Sequence, residues 1–441
     1  METLSIIGII LGVIVLVLFA WQGWSMYICG FSAAFVVMIF SGLDIMETLT
    51  GPFMAKFAGF VSNYILLFMV TTLFAKILGD SGAAKVIAVK MAKLARRAPK
   101  KYQGFVAIML FAIIEMLLTY GGINAFVIVF VMAALGREIF QEMDLPWHLY
   151  MAAAWATSSI TLTFLPGAPA MQNLVPTQYL GTTPTAGPAI GIICSVLAFV
   201  IDAIYVYIQV RKCEKKGEGF LPTGSEVVSR NLGTTDDIPN YNVIYCLIPS
   251  VVMLVLLNIV KWTPVVAMAA SCVIAYVMFI KTLPIKNLPK TITQACETAV
   301  STCMTVAVIV GFGGVIAATS GYAKILGSLL SINAPPLITL VLAISVACGV
   351  TASSTGGLTI GLAEFADKFV AMGINPQVIH RISCIASTGL DSLPHNSGFI
   401  VGFQVTALTY RQGYKHVFVT CTIVPLVVSF VAVLLANMGL V

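Results

Sequence analysis

Apolar runs of about 14 to 23 residues recur from one end of the chain to the other, and this pattern limits what the chain can fold into. A helix of about 20 apolar residues crosses the hydrocarbon core of a bilayer, which is about 30 Å thick. Of the 441 residues, 59% are hydrophobic and 10% are charged, whereas soluble domains carry about 25% charged residues. The pattern predicts an all-α polytopic membrane protein whose function resides in the membrane domain.

Basic side chains are concentrated in three polar segments, 90–101, 211–216 and 281–290. Loops rich in Lys and Arg beside membrane spans stay on the cytoplasmic side, where they also meet anionic lipids. We therefore interpret these clusters as membrane anchors and not as a nucleic-acid surface. They predict a multi-pass protein of a bacterial inner or plasma membrane, in contact with the lipid bilayer. The polar segment 211–240 is predicted to be cytoplasmic, and both termini extracytoplasmic.

The segment Ala83–Arg97 has the pattern of an amphipathic helix. Its apolar residues Ile87, Met91 and Leu94 recur with helical spacing, while its basic residues gather on the other face. This pattern predicts a helix that lies on the cytoplasmic surface of the membrane.

The ten cysteines stand singly, mostly within apolar runs, and their spacing matches no metal-ligand motif. They are predicted to be small core residues, so neither a disulfide, a metal site nor a cofactor is expected. The chain also has no H-E-x-x-H motif and no phosphate-binding loop. The sequence therefore does not predict an enzyme.

The polar stretch 211–240 divides the chain into an N-terminal half, 1–210, and a C-terminal half, 241–441. Both halves contain a Ser-Gly-x-Ala-Lys motif and a later Leu-Pro pair in the same order. We expect each half to have about five crossings and one re-entrant hairpin, which makes the second half an inverted repeat of the first, as in secondary transporters. The hairpins are predicted near 105–135 and 335–370, and helices broken at the midplane near 149–178 and 378–409.

Four segments rich in Gly, Ser and Thr interrupt these hairpins and broken helices: 119–124, 158–169, 351–357 and 387–398. Small residues can simply permit close helix packing. At helix ends they also offer N–H and hydroxyl donors, which favour a carboxylate, and irregular backbone at membrane depth lines a cavity. Their recurrence in both halves predicts a site for a small organic anion. The candidate substrate-binding residues are Thr119, Tyr120, Gly121, Gly122, Asn124, Ser158, Thr161, Thr163, Ser353, Ser354, Thr355, Gly356, Ser387, Thr388, His395 and Asn396.

Three ionisable residues within the predicted hairpins and broken helices are candidates for carrying a coupling proton: Asp391, His395 and Glu115. Ionisable groups inside a membrane are costly and usually functional. Asp391 and His395 stand four residues apart around Pro394, and a structural hydrogen bond between them is the alternative interpretation. Glu115 could instead cap or pair within the bundle.

The motifs Leu78–Ala84, Thr161–Pro166, Thr351–Gly357 and Ser392–Phe399 resemble those of the gluconate permease (GntP) family, within the ion transporter superfamily. The resemblance implies proton-coupled uptake of sugar acids and other small hydroxycarboxylates. Tyr120 stands where that family typically has an acidic residue. The run Leu-Asp-Ser-Leu-Pro-His-Asn is similar to the 3-hydroxybutyrate permease branch, which implies a smaller acid.

Together these features predict a proton-coupled secondary transporter for a hydroxy monocarboxylate such as 3-hydroxybutyrate, or for a sugar acid such as gluconate. One alternative is a sodium-coupled carboxylate transporter that uses carbonyls and hydroxyls at the same segments. Another is a membrane subunit of an ion-pumping decarboxylase complex. Elevator-type relatives in the superfamily would also fit a homodimer.

Overall fold

A computed structural model describes residues 2–120, 125–168, 170–229, 239–260, 262–329 and 334–441. In these ranges the chain is helical and forms no β-strand, which confirms the predicted all-α polytopic membrane class. Besides α-helices, the described residues include three π-helical segments, Leu49–Phe53, Ile160–Phe164 and Phe418–Ile423. Single turns of 3₁₀-helix occur at Lys100–Tyr102, Trp147–Leu149, Ile285–Asn287 and Leu390–Ser392.

The α-helices are numbered in chain order on either side of the polar stretch. Those before residue 230 are α1 (Glu2–Trp21), α2 (Met26–Ser41), α3 (Ile45–Thr48), α4 (Met54–Asp80), α5 (Ala83–Ala95), α6 (Gln103–Tyr120), α7 (Ala125–Glu142), α8 (Tyr150–Ser159), α9 (Met171–Leu180), α10 (Pro188–Lys216) and α11 (Ser225–Ser229). Those after residue 238 are α12 (Val243–Asn258), α13 (Pro264–Met278), α14 (Leu288–Ala317), α15 (Ser320–Leu329), α16 (Pro336–Thr351), α17 (Ser354–Ala371), α18 (Pro376–Gly389), α19 (Ser397–Thr406), α20 (Tyr410–Val417) and α21 (Val424–Asn437).

Six continuous helical stretches in the described residues are long and apolar enough to cross a membrane. They are Glu2–Trp21, Ile45–Asp80, Lys100–Tyr120, Pro188–Lys216, Ile285–Ala317 and Tyr410–Asn437. On α1, Leu4, Ile7 and Leu18 are exposed while Gly8, Gly12 and Leu16 are buried, so one stripe faces outward and the other packs on α2. An outward apolar stripe of this kind suits contact with lipid tails.

The long helices α4 and α14 pack against each other and run antiparallel. Near one end, Thr291 Oγ1 donates a hydrogen bond of 3.0 Å to Asp80 Oδ2. At the other end Gly314 lies so close to Pro52 that an added Cβ would be 2.5 Å from the Pro52 carbonyl oxygen. Small residues therefore let these two helices approach closely, as is common inside membranes.

Helix α5 is amphipathic, as its sequence predicts, but its apolar face is covered by protein. Ile87 and Met91 are buried, and α5 packs against α4, α6, α7 and α12. Only Leu94 of the predicted apolar face is exposed. Contact of this face with lipid is therefore excluded for Ile87 and Met91, because an apolar stripe does not say whether lipid or protein will cover it, and the position of α5 at the cytoplasmic surface stays a prediction.

The predicted polar connector begins with the last turns of a helix. α10 continues to Lys216 and ends at Gly217, whose φ of +66° is the left-handed conformation that favours glycine at a helix end. The short helix α11 follows. The 211–240 stretch is therefore part helix and part loop in its described residues.

Candidate functional site

The first broken helix consists of α8, a π-helical turn and α9. Pro166 disfavours the helical conformation for the residue before it, and Leu165 is extended, with ψ 124°. Within the π-turn, Thr161 Oγ1 donates to the Thr157 carbonyl at 2.7 Å and Thr163 Oγ1 to the Ser159 carbonyl at 2.8 Å. Such back-bonding hydroxyls favour a bend. The helix therefore ends where its sequence places Thr, Leu and Pro together.

The second broken helix consists of α18, the 3₁₀ turn Leu390–Ser392 and α19. Leu393, the residue before Pro394, is again extended, with ψ 160°. Asn396 then caps α19, because its Oδ1 accepts from the backbone N–H groups of Gly398 at 2.7 Å and Phe399 at 3.2 Å. The candidate residue Ser387 is buried and donates to the Cys384 carbonyl within α18.

The two broken helices cross each other at their breaks. Thr388 Oγ1, near the end of α18, donates a hydrogen bond of 2.8 Å to Thr163 Oγ1 in the first break. On the other side, the Trp155 ring of α8 covers Gly402 of α19, where an added Cβ would lie 2.8 Å from the ring. The structure thus brings the candidate residues Thr163 and Thr388 into direct contact.

A fully buried arginine, Arg381 of α18, reaches from the second broken helix to the first break and binds oxygen atoms there. Its guanidinium donates to five oxygen atoms at distances from 2.8 to 3.3 Å. These acceptors are the carbonyls of Thr163, Phe164, Pro184 and Ala186 and the side-chain Oδ1 of Asn173. A cation is favourable at the carbonyls of Thr163 and Phe164, because they belong to the C-terminal end of a helical segment.

Asp391 is buried at the second break and is held by neutral donors. Ser392 Oγ donates to its Oδ1 at 2.9 Å, and Asn396 Nδ2 donates to its backbone carbonyl at 2.9 Å and lies 3.5 Å from its Oδ2. The hydroxyl and the backbone amide of Ser354 also interact with this carboxylate. A side-chain carboxylate therefore lies inside the protein without a cationic partner among these contacts.

The N-terminal residues of α17 and α19 contact Asp391, and the start of α9 lies beside that of α17. Ser354 begins α17, Asn396 caps α19, and Gln172 is the second residue of α9. Gln172 Nε2 donates to Ser354 Oγ at 2.9 Å, which joins the first half of the chain to the second. Because helix N-termini carry partial positive charge, this arrangement creates a region that favours negative charge.

The tip between α16 and α17 contains the other candidates from the 351–357 motif. Ser353 caps α17, with its Oγ accepting from the Gly356 N–H at 3.1 Å. An added Cβ at Gly357 would collide with Cys348, so the second glycine of the motif permits the close return of the chain. Thr355 and Gly356 are half-buried in the first turn of α17.

His395 lies beside Asp391 in sequence but has different partners. Its Nε2 lies 3.0 Å from the Gly349 carbonyl, which can only accept, so Nε2 carries the proton. Its Nδ1 is buried and has no hydrogen-bond partner among the described residues. In neutral His395 this nitrogen is an unused acceptor, which could take a hydroxyl donor or a proton.

Glu115 of α6 is also buried, and it is held by the first broken helix. Thr157 Oγ1 donates to its Oε2 at 2.9 Å and Ser158 Oγ to its Oε1 at 2.5 Å. Tyr120, at the end of the same helix, donates from its OH to the Pro166 carbonyl at 3.2 Å. Thr119 is buried, with no partner for its hydroxyl in the described part of the chain. The predicted site residues Gly121, Gly122 and Asn124 lie outside the described residues.

The structure thus gathers most candidates around two breaks that touch, with Asp391 and Glu115 held by different elements. Sequence reasoning missed Arg381, Gln172 and Asn173, which join the two breaks. The signal for Arg381 was available, since an arginine only three residues into an apolar span is costly and therefore informative. Gln172 and Asn173 carry no such signal, because polar residues after a helix break are unremarkable in sequence.

The chain is a multi-pass membrane transporter and not an enzyme, as its fold and its full-length similarity to a transporter indicate. It is 26% identical to the uncharacterized transporter YxjC of Bacillus subtilis (strain 168), over 483 aligned residues that cover 99% of this chain and 100% of the relative. No family model matches the chain. The crystal structure of the YdaH transporter of Alcanivorax borkumensis covers 90% of both chains at 14% identity with a TM-score of 0.37, which is too distant to bear on fold or function.

Proposed function

We propose that this chain is a secondary active transporter that takes up a small organic anion together with a proton. The observation that carries the proposal is the contact of two helix N-termini, those of α17 and α19, with the buried Asp391, together with the contact of Gln172 at the start of α9 with Ser354 of α17. The same positive region that tolerates Asp391 would bind the carboxylate of a substrate. Secondary transporters commonly place such discontinuous helices at a midplane site.

Coupling to a proton follows from the presence of two negative charges in one buried region. A substrate carboxylate and an ionised Asp391 would repel each other strongly, because the surroundings are poorly solvated. Binding of the anion therefore favours the protonated form of Asp391, and protonation favours binding of the anion. This reciprocity is the thermodynamic basis of symport. Glu115 and His395 are further candidate proton carriers in this scheme.

We propose a hydroxy monocarboxylate such as 3-hydroxybutyrate as the substrate class, with gluconate as the larger alternative. The resemblance to gluconate permeases, closest in its second broken-helix motif to the 3-hydroxybutyrate branch, supports this choice. The hydroxyls of Thr163 and Thr388 and the free Nδ1 of His395 could recognise a substrate hydroxyl. A small acid is also in keeping with the dense packing at the crossing.

The proposed orientation places the connector in the cytoplasm and both termini outside. The Ala189 N–H, at the start of α10, donates a hydrogen bond to the carbonyl of Val441. Glu218 of the connector follows the other end of α10, which is about 43 Å from its start by helix length. Ala20, at the far end of α1 from the N-terminus, lines a cavity together with Ser225 of the connector. The connector and the two chain ends therefore lie toward opposite ends of these helices.

The basic segment 90–101 lies on the connector side, which supports the same orientation. Arg96 pairs with Glu142 at 3.0 Å, and the nearby Trp147 ring packs on Phe220 of the connector at 5.9 Å between centroids. Basic loops are retained in the cytoplasm. We further propose residence in the bacterial inner or plasma membrane, with a homodimer as the assembly.

The test is uptake of labelled 3-hydroxybutyrate by proteoliposomes that hold only the purified protein. An inward proton gradient without sodium should drive accumulation, a protonophore should abolish it, and unlabelled gluconate should compete if larger acids fit. Uptake that requires sodium and resists the protonophore at clamped voltage would replace proton coupling by sodium coupling. Failure of the purified protein to bind either acid would overturn the proposed substrate class and favour a subunit of an ion-pumping complex.

A further inference from the structure

Three side chains of types that can bind a metal ion lie close together at the connector end of α10, away from the two breaks. They are His148 in the turn before α8, Cys213 in the last turns of α10 and Glu218 just after it. One ligand atom from each lies within 4.8 Å of the others. The His148 Nε2 atom is 3.9 Å from Cys213 Sγ and 3.8 Å from Glu218 Oε2.

The end of α10 itself brings Cys213 and Glu218 together. Gly217 adopts the left-handed conformation, and the Glu218 N–H then donates to the Cys213 carbonyl at 3.0 Å. This is the bond pattern of a Schellman motif, which returns the chain onto the last helical turn. The two ligands are therefore neighbours because of local backbone geometry, whatever the more distant parts of the chain do.

The backbone after Glu218 is also fixed in place. The Phe220 N–H donates to Asp144 Oδ1 at 2.8 Å, and the Phe220 ring packs on Trp147. An added Cβ at Gly219 would collide with the Asp144 carboxylate, so glycine is needed for this approach. These contacts dock the start of the connector beside the turn that carries His148.

A chain of hydrogen bonds to its Nδ1 atom orients the His148 ring. Its Nδ1 lies 2.8 Å from His416 Nε2, and His416 Nδ1 lies 2.9 Å from the Tyr205 OH. The two imidazole rings are nearly parallel, with an angle of 11° between their planes and centroids 5.0 Å apart. When Nδ1 of His148 carries the proton and donates it to His416, the lone pair of Nε2 points toward Cys213 and Glu218. A histidine that ligates a metal typically has such a partner on its other nitrogen.

We propose that His148, Cys213 and Glu218 form a binding site for a soft divalent cation, Zn²⁺ in the first instance. Ligand atoms lie about 2.0–2.3 Å from zinc, so in a tetrahedral site they are separated from each other by about 3.3–3.8 Å. The observed separations of 3.9 and 3.8 Å need only a small contraction to reach that range. The separation of His148 Nε2 from Glu218 Oε2, 3.8 Å, is also long for a direct hydrogen bond, so another interaction can bring these atoms together.

Two lysines lie near this site. Lys216 Nζ is 3.7 Å from Glu218 Oε1, and Lys415 also acts electrostatically on His148. The Lys216 contact uses the other carboxylate oxygen, so Oε2 remains available to the metal. Half-exposed Glu218 and half-buried His148 leave the cation a route from solvent. The bound metal would fasten the turn before α8 to the end of α10, independently of the proposed transport activity.

The test is titration of Zn²⁺ into tag-free, chelator-stripped protein in detergent, followed by calorimetry. We expect one Zn²⁺ per chain, and a rise in the apparent melting temperature with zinc concentration, because a ligand of the folded state stabilises it. Co²⁺ should occupy the same site and give a thiolate-to-cobalt charge-transfer band. His416→Gln should weaken zinc binding by about 10- to 100-fold, the usual effect of losing the partner of a ligating histidine.

Substitutions of the proposed ligand residues test the zinc site directly. Cys213→Ser should abolish the charge-transfer band and weaken zinc binding at least tenfold, as should Glu218→Gln, which alters a half-exposed side chain and leaves folding undisturbed. Matched controls are Cys246→Ser in α12 and Glu214→Gln, one turn before Glu218 and paired with Arg211. Absence of zinc binding to the wild-type protein, or binding that survives both ligand substitutions, would overturn the proposal.

Discussion

The two broken helices are alike in backbone and opposite in chemistry. Each breaks at a Leu-Pro pair, and at each break a tyrosine OH donates to the proline carbonyl: Tyr120 to Pro166 at 3.2 Å and Tyr410 to Pro394 at 2.8 Å. The first break is bound by the cation of Arg381, which bonds to carbonyls and an amide. The second break instead contains the carboxylate of Asp391 among neutral donors.

This difference separates a fixed part of the site from a part that can change charge. An arginine stays protonated at any physiological pH, so the first break is held permanently. A buried carboxylate can gain or lose a proton when a nearby charge appears. Arg381 lies on the same broken helix as Asp391, so the helix that holds the first break also presents the titratable group of the second. We infer that the first break frames the substrate and the second carries the proton.

The largest expected effect comes from removing the charge of the second break. Asp391→Asn should abolish proton-driven accumulation of substrate while exchange of labelled for unlabelled substrate across the membrane continues. The reason is that an amide cannot bind the coupling proton, whereas the helix N-termini still bind the anion. Paired accumulation and exchange assays measure this, with Asp367→Asn, an exposed aspartate on α17, as the control. Undiminished accumulation would remove Asp391 from proton coupling.

Removing the fixed cation of the first break should instead affect stability. Arg381→Ala removes the guanidinium donor from five oxygens, of which the Pro184 carbonyl keeps the Gly167 N–H, and each unsatisfied buried group costs about 1–3 kcal/mol. We expect a loss of about 3 kcal/mol or more, read as a lower unfolding temperature in detergent, with Arg381→Lys intermediate because it lacks the planar fork. The exposed Arg411→Ala is the matched control. Normal stability with lost transport would assign Arg381 to substrate binding.

A smaller effect is expected where the two breaks touch. Thr388→Val removes the hydrogen bond to Thr163, which is worth about 1 kcal/mol, or about a fivefold change in KM. Thr388→Ser keeps the hydroxyl and should retain transport. Kinetics of substrate uptake distinguish the two variants. Equal behaviour of the Val and Ser variants would show that the contact does not matter for transport.

The smallest effect is expected for the tyrosine of the first break. The Tyr120 side chain is exposed, so in Tyr120→Phe water can replace the lost donor at Pro166, and the change should be within about 0.5 kcal/mol. Tyr410 is buried, so Tyr410→Phe leaves the Pro394 carbonyl unsatisfied and should cost about 1–3 kcal/mol. Thermal unfolding of both variants measures the difference. Equal losses would contradict the assignment of different environments to the two breaks.

The helical membrane class and the positions of the breaks were predictable from sequence. Hydropathy fixes the class because the bilayer requires continuous apolar helices, and proline within an apolar span favours a break because it disfavours the helical conformation of the residue before it. The burial of Asp391 and Glu115 was predictable for a related reason, since both lie within predicted membrane segments, where ionisable groups are costly; their role in proton coupling stays a prediction. These inferences depend on local sequence and on the solvent that surrounds the protein.

Contacts between distant elements could not be predicted in this way. The apolar stripe of α5 does not reveal that protein covers it, and nothing near Arg381 in sequence points to carbonyls of the first break. Likewise, His148 and His416 meet only because α8 and α20 pack together. Such pairings follow from tertiary packing, which a single sequence does not specify residue by residue.

Proton uptake on substrate binding tests the central claim most directly. Titration of 3-hydroxybutyrate into the detergent-solubilised protein, by calorimetry in buffers of different protonation enthalpy, gives the number of protons bound with each anion. At alkaline pH the account predicts net uptake approaching one proton per anion for the wild-type protein and for Glu115→Gln, and none for Asp391→Asn. Proton uptake that persists unchanged in Asp391→Asn would contradict the claim that the second break carries the proton.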